Sequence, residues 1–271
     1  LHNTTITLTV IGDSAAFGTG DFDSAGNPRG WGHYLAEVFE GSCNYFNFSR
    51  PGAKSKEVVE VQLPRAMETN PDICAVIVGG NDMLRNGFDP KALYENITNT
   101  SLELMSRGSE IIMVELHDPG QLLRIPRLLK RVLRRRVDAV NAVYYKVAEE
   151  LDIILIRTRS IPDVHHPRHW HIDRMHPGPF GHQLLAREMA TQLRERGWEL
   201  SVPEATPQDS QSRYAKIFWL ITHATPWFLK RSVDLLPVAL VLMAIESIRV
   251  LGEVSMGVLR RGYSAVIDQG A

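Results

Sequence analysis

The chain has 271 residues, 30 Lys and Arg against 31 Asp and Glu, a formal charge of −1, and 44 % hydrophobic residues. That length holds one α/β domain with room for an appended segment, and the balanced charge excludes a partner held by global electrostatics, such as nucleic acid. Cys43 and Cys74 fall inside apolar runs without metal-ligand spacing, so both read as buried free thiols.

The first element is the run "TITLTVIG", whose β-branched and apolar residues suit a strand covered on both faces. Gly12-Asp13-Ser14 breaks it and leaves a hydroxyl at the carboxyl end of a first strand, where open α/β sheets bind ligands. Further apolar runs follow at "CNYFNF", "DICAVIVGG", "SEIIMVEL" and "DIILIRT". Between them, helical spacing predicts helices over 31–39, 54–67, 90–107 and 122–151, and a last helix runs from 179 to 196. Alternation of this kind predicts a doubly wound α/β domain on a five-stranded parallel sheet over residues 1–202. Residues 203–213, "PEATPQDSQSR", read as a polar linker. Residues 214–271 then read as an apolar helical extension, interrupted by Pro226, Lys230, Arg231, Asp234 and Pro237. Its uninterrupted apolar stretch over 235–245 is too short to span a bilayer.

Three loops supply partners for Ser14. "HIDRMHPG" places Asp173 three residues before His176, so that one short loop presents an imidazole and a carboxylate to hold its other nitrogen. "SRPGAKS" puts Gly52 at a strand-to-helix turn, and "VIVGGNDM" puts Asn81 at the same edge of the sheet. The amides of Ser14 and Gly52 with the Asn81 side chain would make three donors for a developing oxyanion. Asp82 reads as a residue that holds its loop through backbone hydrogen bonds.

Taken in order, Gly12-Asp13-Ser14, Gly52, Gly80-Asn81-Asp82 and Asp173-x-x-His176 resemble the four blocks of the SGNH hydrolases, the GDSL esterase/lipase superfamily, over residues 5 to 196. "RGWGHYLA" and "DRMHPGPFGHQLLA" look like its actinobacterial branch, and GDSA replaces the GDSL string at a position with no chemical part. The resemblance implies a flavodoxin-like fold, Ser14 as nucleophile, His176 as base and Asp173 as its partner. It also implies oxyanion donors at Ser14, Gly52 and Asn81, and hydrolysis of a carboxylic ester or thioester without a cofactor. An acyltransferase using the same residues and a non-catalytic binding or assembly module stand as alternatives.

His165, His166, His169, His171, His176 and His182 crowd together without a zinc-type motif, so no metal is expected and His182 reads as a packing or capping residue. "PGAKS" and "GTGDFDSAG" both lack the spacing of nucleotide-phosphate loops. Sequons at Asn3, Asn47, Asn96 and Asn99 carry no weight without a secretory context. No leader precedes the first strand, although a chain beginning at Leu1 leaves room for one removed; the expected location is the cytoplasm or the periphery of a membrane. "RIPRLLKRVLRRRVDAV" reads as a solvated helix starting near the rim of the site, with a lipid ester substrate as the competing implication. Contact with a membrane surface or self-association is assigned to the extension.

Overall fold

The computed structural model describes residues 5–39, 42–85, 87–206 and 240–249. Its strands are β1 (Ile6–Gly12), β2 (Cys43–Asn47), β3 (Ile73–Ile77), β4 (Glu110–Val114) and β5 (Ile154–Ile156). They form one parallel sheet in the order β2-β1-β3-β4-β5. The winding reverses between β1 and β3, and a crevice opens there at the carboxyl ends of the strands.

Strand alternation supplies two cores. Leu8, Val10, Ile73, Ala75, Ile77 and Ile112 point to one face, covered by α2 (Gly30–Ala36) and α8 (Pro179–Glu195). Ile11, Cys74, Val76, Ile111 and Met113 point to the other, covered by α4 (Leu63–Glu68), α6 (Pro90–Met105) and α7 (Arg127–Leu151). Burial on both faces is why these strands read as continuous apolar runs. β2 lies at the sheet edge, so Cys43 is only half-buried, against expectation, while Cys74 is fully buried.

Three helices depart from their expected extents by more than two residues or by being broken. The 122–151 helix begins only at Arg127, because Pro126 has no amide hydrogen to donate and its ring biases Ile125 away from helical dihedrals. The 54–67 helix is composite: α3 (Ser55–Glu57), a π-helical turn Val58–Gln62, then α4. The 31–39 helix stops at Ala36, and Phe39 instead bridges Leu200 after α8. Two short helices were not anticipated, α1 (Ser14–Phe17) and α5 (Gly80–Met83), both directly after strands at the reactive edge. Of the expected extension, residues 240–249 are helical. Residues 207–213 of the linker and the rest of the extension lie outside the described residues. Among described residues, no helix is long and apolar enough to cross a membrane.

Candidate active site

β1 delivers Ser14 through a constrained turn. At Gly12, φ is +143° and an added Cβ would stand 1.9 Å from the Ile77 carbonyl oxygen, so only glycine lets β1 approach β3 here. The buried Gln62 side chain fixes both backbone groups of Gly12: it accepts from the amide at 2.7 Å and donates to the carbonyl at 3.0 Å. Gln62 ends the π-helical turn, an insertion of the kind found at functional sites. Asp13 caps α1 by accepting from the Ala15 amide at 3.0 Å. Burial pushes the Asp13 carboxyl up to about 6, against the Ala15 hydrogen bond and the attraction of His176.

Ser14 meets its expected partners. His176 Nε2 lies 2.7 Å from Ser14 Oγ, and His176 Nδ1 lies 2.8 Å from Asp173 Oδ2. The other Asp173 oxygen accepts from the Met175 and His176 amides at 2.8 and 3.0 Å. His171 adds its Nδ1 at 3.2 Å from Asp173 Oδ2 and donates its amide to the His176 carbonyl at 2.9 Å. Burial alone would raise the Asp173 carboxyl, but hydrogen bonds from His171 and His176 overcome it and hold the group well below the usual carboxylate range. Arg174, between the pair, sits at φ +58°, an unusual conformation for a side-chain-bearing residue that keeps this turn compact.

The expected oxyanion donors gather on the same edge. Arg50-Pro51-Gly52-Ala53 closes with an Ala53 amide to Arg50 carbonyl bond at 3.0 Å, with Gly52 at φ +88°. Pro at the second position and Gly with positive φ at the third are the demands of a type II turn. Asn81 in α5 donates one amide hydrogen to the Ala53 carbonyl at 3.2 Å, which ties the two loops together. Asp82 holds the same junction by accepting from the Ser55 amide and hydroxyl, at 3.0 and 2.7 Å. Asn47, a sequon residue, donates to the Ala16 carbonyl at 3.2 Å and so steadies α1.

Ser14, Gly52, Asn81, Asp173 and His176 all line one cavity of about 1180 Å³. Leu116, Leu123, Ile161, Val164 and Trp170 extend its wall, which is mainly apolar. His117 also lines it, with its ring centroid 3.7 Å from that of Trp170. Burial and the nearby His176 push His117 down to about 3, so it is a neutral ring at physiological pH. The histidine cluster is less exposed than expected: His165 and His166 face solvent, whereas His169 is buried and His171 mostly so. His182 is fully buried, accepts from the Trp31 amide at 3.2 Å and lies 3.1 Å from the Thr19 carbonyl. Sequence reading missed Gln62, His117 and His171. Only His171 had a visible signal, its position two residues before Asp173.

The model of the GDSL-like lipase/acylhydrolase family matches residues 10–184. Thioesterase 1/protease 1/lysophospholipase L1 of Escherichia coli K12 is 26 % identical over 188 residues, which are 69 % of this chain and 83 % of that protein. An arylesterase of Vibrio mimicus is 26 % identical over 133 residues, 49 % of this chain and 61 % of its own. Among solved structures, an acetylxylan esterase from Geobacillus stearothermophilus superposes with a TM-score of 0.54 at 20 % identity, covering 72 % of this chain and 95 % of that one. The psychrotrophic esterase EstA from Pseudoalteromonas sp. gives 0.54 at 18 % identity, covering 70 % and 97 %. These likenesses establish the fold. The matched span contains all four motif blocks, and the chain belongs to the GDSL-like lipase/acylhydrolase family of carboxylic ester hydrolases.

Proposed function

We propose that this protein hydrolyses esters or thioesters of apolar acyl groups through an acyl-enzyme on Ser14. The observation that carries the reading is the unbroken sequence of contacts from Ser14 Oγ through His176 to Asp173, at the wall of a largely apolar cavity. His176 Nε2 takes the hydroxyl proton as Ser14 Oγ bonds to the acyl carbon, while Asp173 accepts from Nδ1–H and stabilises the imidazolium. The carbonyl oxygen becomes an oxyanion among the Ser14 and Gly52 amides and the second Asn81 N–H, donors already oriented by the type II turn and by α5. Collapse expels the alcohol or thiol, which His176 protonates. Water, deprotonated by His176, then attacks the acyl-enzyme, and the acid leaves as Ser14 regains its proton. All of this needs only groups the chain itself carries.

The apolar wall supports an acyl chain longer than acetyl, and a relative named for thioesterase and lysophospholipase activities supports the same class. The test pairs the protein with Ser14→Ala, a fluorophosphonate probe and p-nitrophenyl esters of increasing chain length. Ser14-dependent labelling, turnover rising beyond the acetyl ester, and a loss of about 10³-fold or more in kcat/KM for Ser14→Ala are expected. Labelling without turnover would instead mark an acyltransferase lacking its acceptor. Absence of both in folded protein overturns the catalytic reading.

A further inference from the structure

The 240–249 helix is turned inside out for a helix in water. Glu246, its only carboxylate, is the residue it buries, 3 % exposed and 3.2 Å from Arg135 Nη2 of α7. Its outward arc carries Leu240, Val241, Ile245 and Ile248, exposed by 64, 56, 44 and 71 %. At 100° per residue these side chains fall on one side of the helix, with Ala244 between them, opposite Glu246. Facing in through a charge and out through aliphatic groups suits an apolar environment outside the protein.

The surface beside this arc is cationic. Arg127, Arg131, Arg134 and Arg135 of α7 are exposed and recur at helical spacing along one stripe, with Asp138 the first acid on it. The Arg135–Glu246 pair seats the inner face of this helix against that stripe, so the stripe borders the helix whose outer face carries the aliphatic arc. Pro119 and Leu123, just ahead of α7, line the cavity, so the stripe begins at the cavity rim. We propose that the 240–249 arc and the arginine stripe of α7 form one docking surface for an anionic lipid bilayer. Aliphatic side chains enter the acyl boundary while the guanidinium groups of Arg127, Arg131 and Arg134 meet the headgroup phosphates, Arg135 being held by Glu246. The inference does not depend on which ester the cavity accepts.

The full chain would be mixed with phosphatidylcholine vesicles with and without about 30 % phosphatidylglycerol, and the bound fraction read by sedimentation. Binding is expected only with the anionic lipid, falling at least about tenfold as salt rises from about 0.1 to 0.5 M. Val241→Asp with Ile248→Asp should remove binding through the apolar arc. Arg131→Glu with Arg134→Glu, which leaves the arc intact, should remove it through the charges, at roughly fivefold or more per arginine. Neither pair should change kcat/KM on a soluble short ester. No binding, equal binding to neutral vesicles, or binding unaffected by either pair overturns the proposal. So does a dimer that the aspartate pair splits into monomers without any vesicle binding, which would assign the arc to a second copy of the chain.

Discussion

Asp173 receives two imidazoles on one oxygen and two backbone amides on the other, and this surplus of donors decides its charge state. A carboxyl so held remains ionised well into the acid range and keeps the His176 ring in a single orientation. Asp173→Asn keeps an oxygen for the amides but cannot stabilise an imidazolium, so kcat/KM on a soluble ester should fall about 10⁴-fold. Stability should fall with it. Because the folded carboxyl lies below its unfolded value of about 4, its contribution is complete above that pH and shrinks as the pH falls below it. Urea denaturation of both proteins should therefore show a gap at pH 7, about 1–3 kcal/mol, that narrows below pH 4. A gap independent of pH would mean that the substitution acts through packing alone.

Among the elements, α8 does more than cover the sheet. Through His182 it accepts from the first turn of α2 and reaches the Thr19 carbonyl beyond α1, so one side chain joins three segments around the site. Burial pushes His182 down to about 4. Between pH 6.5 and 4 the unfolded chain takes a proton that the folded one refuses, so stability falls as pH drops, by up to about 1.4 kcal/mol per pH unit. His182→Gln retains a donor and an acceptor without the titration. Its unfolding free energy from urea titration should fall less between pH 7 and 5 than that of the unchanged protein, by about 2 kcal/mol; equal slopes would show that His182 does not couple to folding. The strands and the four motif blocks were legible because apolar runs and loop residues are local signals. Gln62 was not, since its position on Gly12 depends on a π-helical turn that the 3.6-residue period conceals. His117 was equally hidden, because its stacking on Trp170 joins residues far apart in the chain. The helix over 122–151 was overextended for a different reason: its apolar periodicity outweighed the local veto of Pro126.

At the scale of the molecule, both apolar cores among the described residues are built between Ile6 and Val202. The segment after α8 is tied back locally, with the Ser201 amide donating to the Val38 carbonyl at 3.0 Å and the Thr206 amide to Gln183 at 2.8 Å. Among the described residues, Arg135 of α7 pairs with Glu246 of the 240–249 helix, and the arginine is 44 % exposed. Its guanidinium would return to water if the helix were absent, at a cost of about 1 kcal/mol or less. A chain ending at Thr206 should consequently fold, keep its kcat/KM on soluble short esters within about twofold, and lose binding to anionic vesicles. Thermal denaturation, ester kinetics and vesicle sedimentation on that shortened chain separate the outcomes. Unchanged folding and turnover with binding lost would make residues 1–206 a self-sufficient hydrolase and the extension its means of reaching a surface. Loss of turnover in a folded chain would assign the extension to the site itself, as a wall or cover of the cavity. Loss of folding would mean that the two cores are incomplete without it.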